Sequence, residues 1–381
     1  MTESLRRNHV DLTLLVAVLA LMMASLGVVY SASSAWAAER FGGRESLIES
    51  HILRVLAGFA ALLLFTLRDY HWYEKYSRRV LLGALVLLVA TKALGGEVKG
   101  SARWFLGFQP SEFAKYALIL HLAHLLAVKQ EAVRDLKEGF LPLALWIAAV
   151  MALVLVQPNF STGAMILGSS AVLVFVGRAR ASHMALACAG AVPVLGVYLV
   201  SAKYRLARLT EFLSGSPEAS SAYQLYQGLL GFGSGGLSGV GAGLSRQRDL
   251  YLPESYGDFI FAIVGEEYGL LGTLFILGLF LLVMIRGMRI ARHAPDPFGR
   301  YLATGITTVL VLYALAHAGV TLGMLPTTGL PMPFVSYGGS SMLFSCMAVG
   351  VLLNISSHTG LYPRLAEVTP ERESPPEEGG A

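Results

Sequence analysis

Long apolar runs separated by short polar segments set the pattern of this chain, and about ten of the runs approach the length a helix needs to cross a bilayer. They lie near 11–32, 50–67, 79–95, 110–128, 141–157, 161–178, 183–201, 258–286, 300–322 and 340–357. The third and sixth are short and read as tilted or packed inside a bundle. Between 202 and 257 the pattern changes to a long, polar, glycine-rich connection, and it turns apolar again at Asp258. The predicted fold class is therefore all-α: an integral membrane protein with about ten transmembrane helices in one bundle and a long extracytoplasmic loop between helices 7 and 8. Residues 1–10 form a cytoplasmic N-terminus and 11–358 the transmembrane domain. Residues 359–381 form a tail rich in Pro and Glu, expected to be disordered inside the cell.

Composition agrees. Of 381 residues, 55% are hydrophobic and only 14% charged. A soluble domain carries about a quarter charged residues, so a string of soluble domains is excluded. Cys188 and Cys346 both lie in apolar runs and read as small hydrophobic residues, not as a disulfide or metal framework. Arg6 and Arg7 precede the first run, and Ala35-Trp-Ala37 imitates a cleavage site. A cleaved leader has a shorter apolar core, about 7–15 residues, so the first run reads as a retained helix.

Charge in the short loops sets the orientation. Arg6 and Arg7 place the N-terminus inside. After every second span come further basic clusters: Arg68, Lys75, Arg78 and Arg79; Lys129, Arg134 and Lys137; Arg178 and Arg180; Arg286, Arg289, Arg292 and Arg300. The 202–257 loop then lies outside. It is basic too, with Lys203, Arg205, Arg208, Arg246 and Arg248, but long loops cross largely regardless of charge. Within it, Gly231-Phe-Gly-Ser-Gly-Gly-Leu-Ser-Gly-Val-Gly-Ala-Gly243 is too glycine-rich for a stable helix in water. It reads as backbone packed closely on the bundle. A phosphate cradle is the alternative, without a Walker pattern to support it.

Candidate chemistry gathers at the predicted outer ends. Asp258 stands where the outer loop meets the eighth span, a costly place for a carboxylate unless it is wet, paired or working. It is a candidate for proton chemistry at the membrane surface; the bland alternative is a helix N-cap. Ala262, Gly265 and Gly269 continue its stripe at helical spacing and line either a cavity or a packing face. A continuous helix from Asp258 to Arg286 would be about 43 Å long, more than the hydrocarbon core of about 30 Å, so Asp258 reaches the outer interface. Glu266 and Glu267 lie deeper and are functional candidates unless basic partners make them structural.

Further polar groups enter at the same level. Gln109-Pro-Ser-Glu-Phe-Ala-Lys115 opens the fourth span, with Pro110 in a first helical turn and Glu112 and Lys115 on one face. Such a pair is either structural or functional. Arg103, before it, is a candidate to hold an anionic headgroup. Gln157-Pro-Asn-Phe-Ser-Thr162 forms a tight outer turn. Leu325 to Ser341 holds three prolines and several glycines, so its helix is broken, and unwound backbone near a membrane must be buried in protein or face water. Thr327, Ser336, Tyr337 and Ser340 there either meet a sugar or pyrophosphate or satisfy that backbone. His121, His124 and His317 show no metal-ligand spacing.

Taken together, Gly107-Phe-Gln-Pro-Ser-Glu-Phe-Ala-Lys115, Tyr251-Leu-Pro-Glu through Asp258-Phe-Ile-Phe-Ala and Gly265-Glu-Glu267, and Leu325-Pro through Pro333-Phe-Val-Ser-Tyr-Gly-Gly-Ser-Ser341 resemble the SEDS family (shape, elongation, division and sporulation). The resemblance covers about residues 10–358. It implies ten spans, residence in the bacterial cytoplasmic membrane, and polymerisation of lipid II into glycan strands on the outer face. Ser245-Arg-Gln-Arg248 is more similar to the division members, FtsW, than to the elongation members, RodA, which implies septal wall synthesis. A lipid II transporter and an inactive scaffold for a transpeptidase are the alternatives. The outer placement of the polar groups favours catalysis, because transporters bind near the midplane.

The resemblance also implies roles. Asp258 matches the family's essential acid, the proposed general base for an inverting transfer without a covalent intermediate. Glu112 and Lys115 match functional positions. Gln109, Ser111, Arg103, Arg246, Arg248, Thr327, Ser336, Tyr337 and Ser340 are the accompanying substrate-binding candidates. No metal ligand is assigned; a divalent cation, Mg or Mn, is a candidate aid to the pyrophosphate leaving group. The implied partners are lipid II, the lipid-linked nascent glycan, a class B penicillin-binding protein transpeptidase and other division membrane proteins. There are departures: Tyr256-Gly257 stands where the family has His-Thr or His-Asn, Asn159 where Asp is common, and His317 where Asn is common.

Overall fold

The structure is a computed structural model that describes residues 9–41, 45–95, 103–105, 107–214, 220–250, 252 and 255–361. The expected disordered tail beyond Leu361, the first eight residues and three positions of the Tyr251-Leu-Pro-Glu motif lie outside the described residues. Helices form wherever the apolar runs predict them: α1 (Leu12–Phe41), α2 (Ser46–Leu67), α3 (Tyr70–Leu94), α4 (Pro110–Lys129), α5 (Leu141–Val156), α6 (Phe160–Val176) and α7 (Ala181–Val200). After the long connection come α11 (Ile260–His293), α12 (Pro297–Thr321) and α13 (Gly339–His358). Among the described residues, eight helices are long and apolar enough to cross a membrane. The other two predicted spans fall short for readable reasons. α6 has 17 residues. α3 opens on a polar stretch carrying Glu74, Lys75, Arg78 and Arg79. α6 packs on α12, and α3 packs one face on α4 while the other, with Val86 and Val89, stays exposed, so the expectation of a helix inside the bundle is corrected for α3.

Buried polar contacts tie together the end of the bundle that carries the basic short loops. At the inner face Asp11 caps α1 through the Leu14 amide at 3.0 Å and pairs with Arg286 at 2.9 Å. The Tyr70 amide donates to Asn354 Oδ1 at 2.9 Å, and the Tyr70 hydroxyl donates to Asp296. Residues 11, 70, 286, 296 and 354 thus share one end, as an even number of spans between basic clusters demands. A cysteine placed at Thr210, exposed outside, should react with an impermeant thiol reagent on intact cells in a Cys188→Ala background, and one at Lys137 should react only after lysis. The reverse pattern would invert the topology.

The 202–257 connection differs from the expectation of a loop. It holds α8 (Lys203–Ser214), α9 (Ser220–Gly235) and the short α10 (Arg246–Leu250). The first glycines of the predicted non-helical run end α9, which packs on α11; the bundle, not the local propensity, stabilises this helix. The remaining glycines lie close on the bundle, as expected. α11 itself is not continuous. It breaks at Gly269, at φ 64 and ψ −159, so the single straight rod from Asp258 to Arg286 is corrected. The amides of Val240 and Gly241 donate to the carbonyls of Glu266 and Glu267 at 3.0 and 3.1 Å. In return, the amides of Leu270 and Leu271 donate to those of Gly236 and Leu237 at 2.9 and 3.1 Å. The break is tolerated because the outer segment satisfies its backbone. A Cβ at Gly239 would stand 2.1 Å from the Glu267 carbonyl oxygen, so the approach requires glycine.

One helix stands apart. No residue of α7 is buried. Between it and α5 and α6 opens an apolar cavity of about 450 Å³, lined by residues such as Leu143, Met151, Val174, Met184 and Leu195.

Candidate active site

Three segments meet at the outer end of the bundle. Three prolines between Leu322 and Gly338 withdraw backbone donors and prevent helix after α12. The segment nevertheless buries Leu330, Met332, Phe334 and Val335, so its polar backbone needs partners. Ser336 Oγ accepts from the Met332 amide and donates to the Gly257 carbonyl, each at 2.9 Å. The Tyr337 amide donates to the Tyr256 carbonyl at 3.0 Å, and His317 Nδ1 to the Leu330 carbonyl at 2.8 Å. From the other side, Ser340 Oγ accepts the Gln109 amide at 2.8 Å, just before Pro110 opens α4. The hydroxyls of Ser336 and Ser340 therefore hold the junction together, which is the backbone-satisfying alternative for both. Thr327 is half-buried near Gly329.

Asp258 sits in the turn that enters α11, half-buried. The helix N-cap is Phe259, so Asp258 lies one residue outside the cap position. Its Oδ2 is 3.3 Å from where a Cβ on Gly329 would stand; the carboxylate rests against a residue that offers it no side chain. The turn is walled by aromatics. The Tyr256 ring lies 5.5 Å from Trp36 and 5.5 Å from Tyr337, the latter edge-on. Small residues on α11 below Asp258 form a packing face, not an open groove: a Cβ on Gly265 would stand 2.1 Å from the Phe232 ring of α9.

A cation that sequence reasoning passed over reaches the same junction. Arg54 of α2 lies with its guanidinium 4.2 Å from the centre of the Tyr337 ring, and its side chain runs 3.1 Å from the Cβ position of Gly339. The available signal was an arginine inside an apolar run, which a membrane helix seldom carries without use.

The other predicted residues separate into neighbouring clusters. Glu112 and Lys115 form a 2.7 Å ion pair, each only 1% exposed, and the Lys115 ammonium sits 3.7 Å from the Tyr313 ring centre. Ser111 is fully buried beside them on α4, with no hydrogen-bond partner for its hydroxyl among the described residues. Arg103 donates from Nε to the Gln157 carbonyl at 3.3 Å and also to the Pro158 carbonyl, bracing the α5–α6 turn. Arg248 Nη1 donates to Ser31 Oγ at 2.9 Å and lies 3.8 Å from Glu267. The Glu266 carboxylate accepts the Arg246 amide at 3.0 Å and the Ser245 hydroxyl, so it caps the start of α10. Glu266 and Glu267 thus have the structural role that basic and capping partners imply; they anchor the outer segment. Arg246 contributes its backbone to that cap, and its side chain is exposed.

Residues 12–361 match the family model for the FtsW, RodA and SpoVE cell cycle proteins. The chain belongs to the FtsW/RodA/SpoVE family. It is similar to the "Probable peptidoglycan glycosyltransferase FtsW" of Geobacter metallireducens, 38% identical over 354 residues, covering 91% of this chain and 94% of that one. It is similar also to "Stage V sporulation protein E" of Bacillus subtilis, 37% identical over 362 residues, covering 93% and 99%. Among solved structures it resembles one described as structural coordination of polymerization and crosslinking by a peptidoglycan synthase complex, at TM-score 0.73 and 26% identity, covering 91% of this chain and 97% of that one. The crystal structure of Thermus thermophilus RodA shares the fold, at TM-score 0.68 and 24% identity, covering 91% and 96%. This FtsW/RodA/SpoVE protein is a multi-pass membrane protein.

Its departures from the family pattern have local explanations. Tyr256 joins the aromatic wall beside Asp258. Gly257 offers its carbonyl to Ser336. Asn159 caps α6 through the Thr162 amide at 3.4 Å, a task that needs an acceptor but no charge. His317 is buried and spans from α12 to the unwound segment.

Proposed function

We propose that this chain is a peptidoglycan glycosyltransferase that polymerises lipid II on the outer face of the cytoplasmic membrane, with Asp258 as its general base. The observation that carries the reading is the junction itself. Three segments remote in sequence hold one half-buried carboxylate at the outer end of the bundle, within a family whose relatives bear the glycosyltransferase name.

The acceptor sugar's 4-hydroxyl attacks the anomeric carbon of the lipid-linked strand. Its proton passes to the Asp258 carboxylate as the new carbon–oxygen bond forms. The bond from that carbon to the lipid pyrophosphate breaks, and the pyrophosphate leaves with the electron pair. One displacement inverts an α linkage to β, so a single base suffices. The leaving group gathers negative charge, which a fixed cation stabilises. Arg54 is the best placed of the basic residues, because Arg103 and Arg248 are directed at protein acceptors. Among the described residues no three His, Cys, Asp or Glu side chains cluster, so a divalent cation, Mg or Mn, would enter with the pyrophosphate, whose oxygens would supply most of its ligands and whose charge it would offset. The isoprenoid chains lie against the membrane-facing helices, and the apolar cavity beside α7 offers a seat for one of them.

The FtsW name of relatives and the Ser245-Arg-Gln-Arg248 motif support work at the division septum, with other division proteins. A class B penicillin-binding protein is the expected partner, supported by the likeness to a peptidoglycan synthase complex. The test is polymerisation of labelled lipid II by the purified chain, alone and with that partner. Glycan strands should form, with the partner raising the rate. Transfer of lipid II between leaflets with no polymer, partner present, would make the chain a transporter instead.

A further inference from the structure

At the inner face, opposite the active site, the ends of α4, α6 and α12 enclose a polar cleft of about 520 Å³. Its lining includes Arg134, Arg178 and Arg300, with Glu131, Gln130 and Tyr301. The arginines come from three separate segments. Arg134 ends the 3-10 turn Gln130–Arg134, Arg178 sits in the turn after α6, and Arg300 lies in the first turns of α12. Three guanidinium groups thus meet one carboxylate around one space. None of the three makes an ion pair or side-chain hydrogen bond among the described residues, whereas Arg286 on the same face is paired with Asp11 at 2.9 Å.

The cleft is also shaped by unusual backbone. Gln130 has φ 40 and Arg178 has φ 64, a left-handed region that residues with side chains seldom adopt. Two such residues line this one cleft. Exposed apolar residues flank it in sequence: Val176, which lines the cleft, is 37% exposed, its neighbour Phe175 on α6 64%, and Val128 on α4, two residues before the lining Gln130, 65%. Acyl chains would lie along these residues at the depth where the arginines reach the headgroup layer.

We infer that this cleft binds the phosphate headgroup of an anionic phospholipid of the inner leaflet, held by Arg134, Arg178 and Arg300 with its chains against Val128, Phe175 and Val176. Guanidinium groups suit phosphate because their planar donors meet two oxygens at once. Basic pockets between helix ends on the cytoplasmic side are the expected form of such sites. The flanking apolar residues distinguish a lipid from a soluble phosphate, which has no use for them.

The test measures binding of phosphatidylglycerol and of phosphatidylcholine to the full chain by native mass spectrometry. Phosphatidylglycerol should bind more tightly, and each of Arg134→Gln, Arg178→Gln and Arg300→Gln should weaken it by about fivefold. Arg178→Lys, which keeps the charge but not the paired donors, should weaken binding less than Arg178→Gln without restoring it fully. A control variant, Lys137→Gln with Arg289→Gln and Arg292→Gln, removes from the same face, outside the cleft, as much charge as the three cleft changes combined, and should leave the bound lipid in place. Equal loss in that control would reduce the effect to net charge and overturn the site. Inorganic phosphate in chloride-matched buffer should not displace the lipid; displacement would make the cleft a soluble-anion site and overturn the lipid assignment.

Discussion

Asp258→Asn should polymerise lipid II at least about 10²-fold more slowly than the parent chain while binding lipid II almost as well. The substitution keeps size and hydrogen bonding and removes only the basic carboxylate. The structure makes this a clean test. Phe259, not Asp258, is the N-cap of α11, so a change here does not remove a cap. Asparagine, of equal size, also fits beside Gly329, which has no side chain to displace. A loss of 10²-fold is about 2.7 kcal/mol of transition-state stabilisation, more than a surface substitution usually costs in stability. Asp258→Glu should retain a trace, because its longer side chain must move the carboxylate off its place against Gly329. Near-normal glycan chains from a folded Asn variant would remove Asp258 from the mechanism.

Breaking the Glu112–Lys115 pair should have the largest effect on stability. Both groups are 1% exposed, and removal of one partner strands the other charge in a dry interior, at about 3–5 kcal/mol. Glu112→Gln and Lys115→Met should each lower the unfolding free energy by that order, read by denaturant titration in detergent. The double variant Glu112→Leu with Lys115→Met leaves no unpaired charge and should recover most of the loss, because the two sites are coupled and their effects are not additive. Tyr313, 3.7 Å from the ammonium, then packs against apolar atoms. If each single change costs under about 1 kcal/mol, as for a solvent-exposed pair, the pair faces water. It would then belong to a wet cavity reaching down from the site.

Much of the fold was legible because the relevant information is local. A run of apolar residues declares a membrane helix by itself, and each predicted span has its helix. The broken helix before Ser341 was legible from its prolines, and the acid at Asp258 from the cost of its position. Other features were hidden. α9 ends in glycines whose local preference opposes helix, and contact with α11 overrides it. Arg54 sits in an apolar run far from the recognised motifs, and only the fold lays it over Tyr337. Glu266 and Glu267 read as functional candidates by default until Arg248, Ser31 and the start of α10 close on them.

From the sequence alone came the class of protein, an expected orientation, the place of the long connection and the acid with the best claim to chemistry. These follow from transfer free energies and charge, which act residue by residue along a segment. Only the tertiary structure decided which polar groups share a site and which are consumed in holding it. It placed Ser336 and Ser340 as junction hydroxyls, Lys115 in a buried pair, and the break at Gly269 against the glycines of the outer segment. The reason is that a buried polar group must find a partner, and here the partners lie tens to hundreds of residues away, brought together only when the helices pack.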